Sequence, residues 1–335
     1  MAVSRRAVLG LAFPSLFRGL VARGRRLGQG RWRALLVLGT MALGLLELGL
    51  HFRFSRAAPR PEEWVALEPE LRPWLAPDTL VVVAPPWAEP LARFALGDAV
   101  MPLAHVARAD DSRFERAVEI SILGERAQEL AGWQLEQERA VGRFQLRSWK
   151  NPAPAHVLYD FLAHLQPPEL SVWVESQGQR SDCPFGPAVV SNGDLHGHPT
   201  FPSPRFSCSP SNEALFVAAT VIEDQHYLPR RCIWAHPPKR GSVRLRFEGV
   251  PLGAEIRGYA GMPWFFERES KGSDVRLELF VAGERIGEYV HADGEGWKPF
   301  QFSTERFSGQ TQAVELSVQS ASMWQRWFCF QAEAR

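Results

Sequence analysis

Three short runs of this 335-residue chain gather side chains that can move protons, ligate metals or hold sugars: Asn192-Gly193-Asp194-Leu195-His196-Gly197-His198, Glu223-Asp224-Gln225-His226 and His291-Ala292-Asp293-Gly294-Glu295-Gly296-Trp297. Asp194, His196 and His198 alternate, so on an extended segment they face one side, where a carboxylate and two imidazoles can hold a transition metal. With Asp224 and His226 they form the candidate catalytic set, and by themselves the first candidate metal set. Asp293 and Glu295 lie beside glycine turns and offer oxygen ligands, the second candidate metal set, suited to a structural Ca2+. Trp297, Asp293, Glu295, His291 and Trp264 are the candidate ligand-binding residues. The C–H face of a sugar packs on an aromatic ring while its hydroxyls need polar groups nearby. A structural reading stands beside each: a glycine-rich surface loop for the first run, and a turn with Trp297 buried in the fold for the third.

Other chemistries lack their signatures. The sequence has neither a Gly-x-Ser-x-Gly elbow nor a cysteine placed as a nucleophile. The turn Ala84-Pro85-Pro86-Trp87, after an apolar run that reads as a buried strand, has no glycine to let a phosphate approach the backbone. The paired acids Asp110 and Asp111 read as part of a solvated polar loop, 108–113. Residues 61–335 carry 27 basic and 36 acidic side chains, a balance that disfavours nucleic acid, whose phosphates call for a basic face.

The elements that must position these residues begin with a location signal. Residues 1–33 hold eight arginines and no acid, and they run into the apolar segment 34–50. By the positive-inside rule the N-terminus stays in the cytoplasm and the bulk of the chain is exported. The 17 residues of that segment cover about 25 Å of a roughly 30 Å hydrocarbon core, so Trp32, Phe52 and Phe54 complete the crossing at the interfaces. Ser4-Arg5-Arg6-Ala7-Val8-Leu9 looks like a twin-arginine export signal, but no small-x-small cleavage site follows. The expectation is an uncleaved signal anchor, single-pass in the inner (cytoplasmic) membrane, with the rest of the chain periplasmic. The skew of 34 Arg to 4 Lys reads as the coding bias of a GC-rich, bacterial genome.

The expected fold class is α+β. A basic cytoplasmic head (1–33) leads into a transmembrane helix (34–54) and a proline-rich linker (55–61). A small α/β domain (62–178), a disulfide-tied loop region (179–212) and a C-terminal β-sandwich (213–335) follow. In the α/β part, strands are expected at 79–84, 100–106, 116–123, 133–139, 144–150 and 170–175, and helices at 88–96 and 153–165, the latter from Val157, Phe161 and Leu165 at i, i+4 and i+8. From about residue 213 the texture becomes two-residue alternation, clearest in Val275, Leu277, Leu279 and Val281 and in Val314, Leu316 and Val318. Nine strands are expected there: 214–222, 230–235, 243–248, 255–259, 275–281, 286–291, 298–303, 313–319 and 327–332.

The run Val243-Arg244-Leu245-Arg246-Phe247, the corner Val250-Pro251-Leu252-Gly253, the hairpin within 275–283, the Trp297-led strand and the segment 309–318 resemble the jelly-roll of galactose-binding-like, carbohydrate-binding-module domains. The resemblance covers about 120 residues. It implies binding at loop tips, commonly of sugars and often with a structural calcium, and it assigns no individual ligand residue.

All four cysteines, Cys183, Cys208, Cys232 and Cys329, fall in the second half without Cys-x-x-Cys spacing, which in an exported domain points to two disulfides. Of three pairings, Cys183 with Cys208 and Cys232 with Cys329 is favoured. The leading functional expectation is a membrane-anchored extracytoplasmic accessory protein, not an enzyme, whose jelly-roll binds a glycan or a cell-envelope partner. The alternatives are a metal-dependent, glycan-active envelope enzyme and a structural protein-interaction module.

Overall fold

The computed structural model describes residues 29–76, 78–191, 199–269 and 272–335. Residues 1–28, with the twin-arginine-like motif and most of the basic head, lie outside them, as does the run 192–198 that carries Asp194, His196 and His198. The chain divides into two compact units, Met1–Arg60 and Pro61–Arg335.

In the first unit, helix α1 (Gln29–Ala57) contains a stretch, Arg31–Arg53, that is long and apolar enough to cross a membrane by length and composition. Its 23 residues extend about 35 Å, more than a hydrocarbon core needs. The shortfall expected for segment 34–50 vanishes because the helix continues unbroken through Trp32 and Phe52.

The second unit opens with an α/β layer. Helix α2 (Pro61–Leu71) buries Trp64, Leu67 and Leu71 along one stripe. Strand β1 (Leu80–Ala84) is buried on both faces. Helix α3 (Glu89–Leu96) turns Ala92 and Leu96 inward, and the single turn α4 (Leu103–Val106) follows. Strands β2 (Arg116–Ser121), β3 (Gln134–Val141) and β4 (Phe144–Lys150) complete a four-stranded sheet of order β1-β2-β4-β3, in which the β1–β2 pair is parallel. The apolar segment 100–106, expected as a strand, is a turn leading into α4. Pro102 sits at the N-cap of that turn and leaves no room for a ladder.

The remaining strands form two antiparallel sheets. Tyr159–Asp160 (β5), Leu170–Ser176 (β6), Gln179–Asp182 (β7), Phe185–Gly186 (β8), Arg205–Ser207 (β9), Phe216–Glu223 (β10) and Pro229–Ala235 (β11) precede Ser242–Pro251 (β12) and Glu255–Gly261 (β13). After helix α5 (Trp264–Glu269) come Val275–Val281 (β14), Glu284–His291 (β15), Lys298–Ser303 (β16), Thr311–Ser320 (β17) and Cys329–Ala334 (β18). One sheet has the order β15-β14-β17-β12-β6-β7. The other runs β16-β13-β18-β11-β10-β9-β8, with β5 paired to β18. All nine expected strands of the C-terminal part are present, and the architecture is the β-sandwich that the resemblance implied.

The core between the sheets follows from the period of two. Val172, Leu245, Leu316 and Leu279 stand in register across β6, β12, β17 and β14. They share one core with Ile233, Ile256 and Phe330 of the other sheet and with Phe328 just before β18, and each fully buried side chain of this size stabilises the fold by about 1.5–3 kcal/mol. The same row corrects a boundary. The strand expected at 170–175 was to close the α/β layer, but as Leu170–Ser176 it pairs with Ser242–Pro251 inside the sandwich, because its inward-facing Leu170 and Val172 extend that apolar row.

The helix expected at 153–165 is absent. Tyr159–Asp160 pairs with β18, and Phe161–Ala163 forms a 3-10 turn capped by the Asp160 carboxylate, which accepts from the Leu162 N–H at 3.0 Å. Pro154 and the pairing of Leu158 N–H with the Ala334 carbonyl at 2.8 Å hold the segment extended. Both favoured disulfides are formed, Cys183–Cys208 and Cys232–Cys329.

Candidate functional site

Three connections converge at the sandwich rim: the β10–β11 turn (224–228), helix α5 after β13, and the β15–β16 loop (292–297). The turn is built around Asp224, which is buried. Its Oδ1 accepts from the backbone N–H groups of His226 at 2.8 Å and Leu228 at 3.1 Å, and its Oδ2 accepts from Arg230 Nε at 2.8 Å. This Asx-type arrangement lets Tyr227 take a positive φ of 61° at the tip, where it is exposed. The Asp224 carboxylate is thus fully engaged and holds a turn, and the exposed His226 contributes its backbone to that turn.

Helix α5 locks the other two connections together. Glu267 is completely buried: its Oε1 accepts from Met262 N–H at 3.0 Å and from His291 Nε2 at 2.6 Å, and its Oε2 accepts from Gly294 N–H at 2.9 Å. The Tyr289 hydroxyl lies 3.1 Å from His291 Nδ1. Burial, followed by the charges of Glu295 and Glu267, pushes the Tyr289 phenol well above its ordinary pKa and keeps it protonated. Gln225 Nε2 donates to the Gly294 carbonyl at 2.9 Å, which ties the turn to the loop. Gly296 takes a φ of 74°, in the left-handed region that favours glycine, where it lies against the Gln225 side chain.

The side chains presented at this rim are aromatic and polar. Tyr227 and Trp264 lie with ring centroids 5.3 Å apart, and the Arg268 guanidinium sits 4.7 Å and 5.2 Å from the two centroids. Arg268 donates to the Tyr227 hydroxyl at 2.6 Å and to the Gln225 carbonyl at 3.2 Å. Glu295 is exposed on the β15–β16 loop, and its carboxylate accepts from Ala292 N–H at 3.2 Å.

The structure therefore brings Asp224, His226, Trp264, His291, Asp293, Glu295 and Trp297 to one end of the sandwich but divides their roles. His291 is held by Glu267. Asp293 accepts from the buried Arg326 Nη1 at 2.8 Å and from Gly272 N–H at 2.9 Å. Trp297 is half-buried, stacked at 9° on Tyr259 and packed against the buried cluster that contains the Cys232–Cys329 bridge. Tyr227 and Arg268 were not among the sequence candidates. Tyr227 directly follows the acidic run that was, and Arg268 lies four residues beyond Trp264.

Asp293 and Glu295 do not fit calcium: Arg326 already neutralises Asp293, and the Asp293 oxygens are both engaged, whereas calcium takes six to eight free oxygen ligands. Among the described residues no group of three or more His, Cys, Asp or Glu side chains could hold a metal ion.

No family model and no curated protein matches the chain. Solved structures similar to it include the CBM51 of Clostridium perfringens GH95 in complex with methyl-galactose, at 9% identity and a TM-score of 0.26, covering 35% of this chain and 81% of that one. The CBM51-2 and INT domains of Clostridium perfringens ZmpB, solved with GlcNAc, match at 10% identity and a TM-score of 0.27, with 61% of this chain and 41% of that one covered. The CBM22-1 xylan-binding domain of Paenibacillus barcinonensis Xyn10C matches at 14% identity and a TM-score of 0.23, covering 35% and 78%. Each of the three includes a carbohydrate-binding module.

Proposed function

We propose that the chain is a membrane-anchored, extracytoplasmic accessory protein whose sandwich binds a glycan through the rim formed by Tyr227, Trp264, Arg268 and Glu295. The observation that carries this reading is the Tyr227–Trp264 pair at a loop tip, with its rings fixed by Arg268 and with the exposed His226 and Glu295 on the connections that converge there. Aromatic rings take the C–H face of a sugar, and polar groups take its hydroxyls. The two disulfides support an oxidising compartment. The apolar stretch Arg31–Arg53, preceded by the arginine-rich head, supports anchoring in the inner membrane with the N-terminus in the cytoplasm.

The test is a glycan array and envelope-polysaccharide screen of residues 61–335, with calcium and with chelator. Binding that disappears in Trp264→Ala and Tyr227→Ala variants of unchanged melting temperature supports the reading. An array without any bound glycan sinks it.

A second reading, a protein-interaction module, is favoured by one surface. Trp87, Leu91 and Phe94 follow one another at helical spacing along α3 and the turn before it, opposite buried Ala88, Ala92 and Leu96, and Phe94 is 90% exposed. Loss of a co-purified protein in a Leu91→Ser, Phe94→Ser variant with intact glycan binding favours this second role.

A further inference from the structure

A cleft of about 920 Å3 opens between the α/β layer and the sandwich, and its lining does not include Tyr227, Trp264, Arg268 or Glu295. Its volume lies within the roughly 300–1,000 Å3 usual for small-molecule sites. The α/β layer contributes His105, Asp110 and Arg113; the sandwich contributes His156, Asp160 and Glu333.

The polar wall is a preformed ladder. Arg113 Nη1 donates to Asp160 at 3.1 Å and to Glu333 at 3.0 Å. Arg335, behind the lining, donates to Glu333 through Nη2 at 2.7 Å and to Ser112 Oγ at 2.9 Å, and Ser112 Oγ donates to Asp110 at 2.7 Å. These bonds fix the rotamers before any ligand arrives, which lowers the ordering cost of binding.

We infer that this cleft is a second binding site, for a neutral, hydroxyl-rich ligand of short-saccharide size. The lining arginines are Arg108, Arg113, Arg116 and Arg231. The lining also holds the carboxylates of Asp78, Asp110, Glu115, Asp160 and Glu333, so it is close to charge balance and selects no ion. Guanidinium groups have five N–H donors and carboxylates about four lone-pair sites, more than the ladder uses. A hydroxyl both donates and accepts and so can bond either kind of group. Phe114, Val157 and Leu162 supply apolar surface for a sugar's C–H face. Burial lowers the His105 pKa and keeps the ring neutral at pH 7, when it too can donate and accept.

The test is isothermal titration of the full chain in detergent with mannotriose, xylotriose and cellotriose, and with trigalacturonate as the anionic arm. The blocking variant is Ala104→Trp, at an exposed position of the lining. His156→Trp, at a second exposed position of the lining, replaces it if the first variant melts early. Arg113→Met breaks the ladder at similar volume, and Trp264→Ala removes the loop-tip platform. The expected result is that at least one neutral trisaccharide binds, that blocking the cleft or breaking the ladder weakens it tenfold or more, and that Trp264→Ala does not. The inference is overturned if no neutral trisaccharide binds, if only trigalacturonate binds, or if binding survives the cleft variants. Binding lost in Trp264→Ala alone leaves the loop-tip reading standing and removes this one.

Discussion

Glu267 and His291 meet inside the fold, Oε1 to Nε2 at 2.6 Å, with both side chains wholly buried, and this contact joins helix α5 to the last residue of β15. The same carboxylate receives the backbone N–H groups of Met262 and Gly294, so the geometry of the loop tips depends on it. Replacing Glu267 by Ala strands an imidazole and two N–H groups. The expected loss is about 3–5 kcal/mol, as for breaking other buried pairs. Glu267→Gln, which keeps an acceptor, should lose less. Urea unfolding of residues 61–335 measures both, and a loss below about 1 kcal/mol for the alanine variant would contradict this role.

Acid should destabilise the protein through His236. Its Nδ1–H donates to the Arg326 carbonyl at 2.7 Å, and burial lowers its pKa to about 4. Above pH 6.5, the ordinary value, both folded and unfolded imidazoles are neutral and the stabilisation is complete. Between 6.5 and about 4 the unfolded chain binds a proton that the native state refuses, so stability falls with pH, by about 3 kcal/mol in total. A His236→Gln variant should show a shallower slope in that window, and an unchanged slope would assign the acid sensitivity to other groups.

The two disulfides should differ in worth. Cys232–Cys329 spans 97 residues and Cys183–Cys208 spans 25. In the chain-entropy model the longer loop contributes about 4–5 kcal/mol and the shorter about 3 kcal/mol. Paired Cys→Ala variants compared by guanidinium unfolding should rank in that order. The reverse ranking would mean that packing around Trp234 and Phe216 compensates for the lost crosslink.

Tyr227→Ala and Trp264→Ala should each weaken glycan binding by at least tenfold while changing stability by less than about 1 kcal/mol, since Tyr227 is exposed and Trp264 only half-buried. Arg268→Ala should act in the same direction with a smaller effect, because it orients the rings without replacing their surface. Chelator should leave binding unchanged, since Asp293 is committed to Arg326. Chelator-sensitive binding would point to a metal held elsewhere in the chain.

Much of the architecture is written locally. The alternation of Val275, Leu277, Leu279 and Val281 specifies a half-buried strand because side chains on a strand point alternately to opposite faces, and the apolar stretch after the arginine-rich head specifies a long helix. Four cysteines confined to the later half mark where crosslinks form.

What the sequence left open are relationships between distant residues. Leu170–Ser176 reads the same in either layer, and only pairing with Ser242–Pro251 places it in the sandwich. Val157, Phe161 and Leu165 fit a helix until β18 offers Tyr159 and Asp160 a ladder. The acids and histidines of the three polar runs have the right types for chemistry, but type does not reveal which partner each will find. Arg326 claims Asp293, Arg230 claims Asp224, and Glu267 claims His291. Arg113 and Glu333, 220 residues apart, become neighbours only when the two layers close. Short-range periodicity determines an element's type through backbone sterics and burial of one face. Whether a charged side chain is free to bind a ligand is decided by packing, which brings in neighbours that no local pattern encodes.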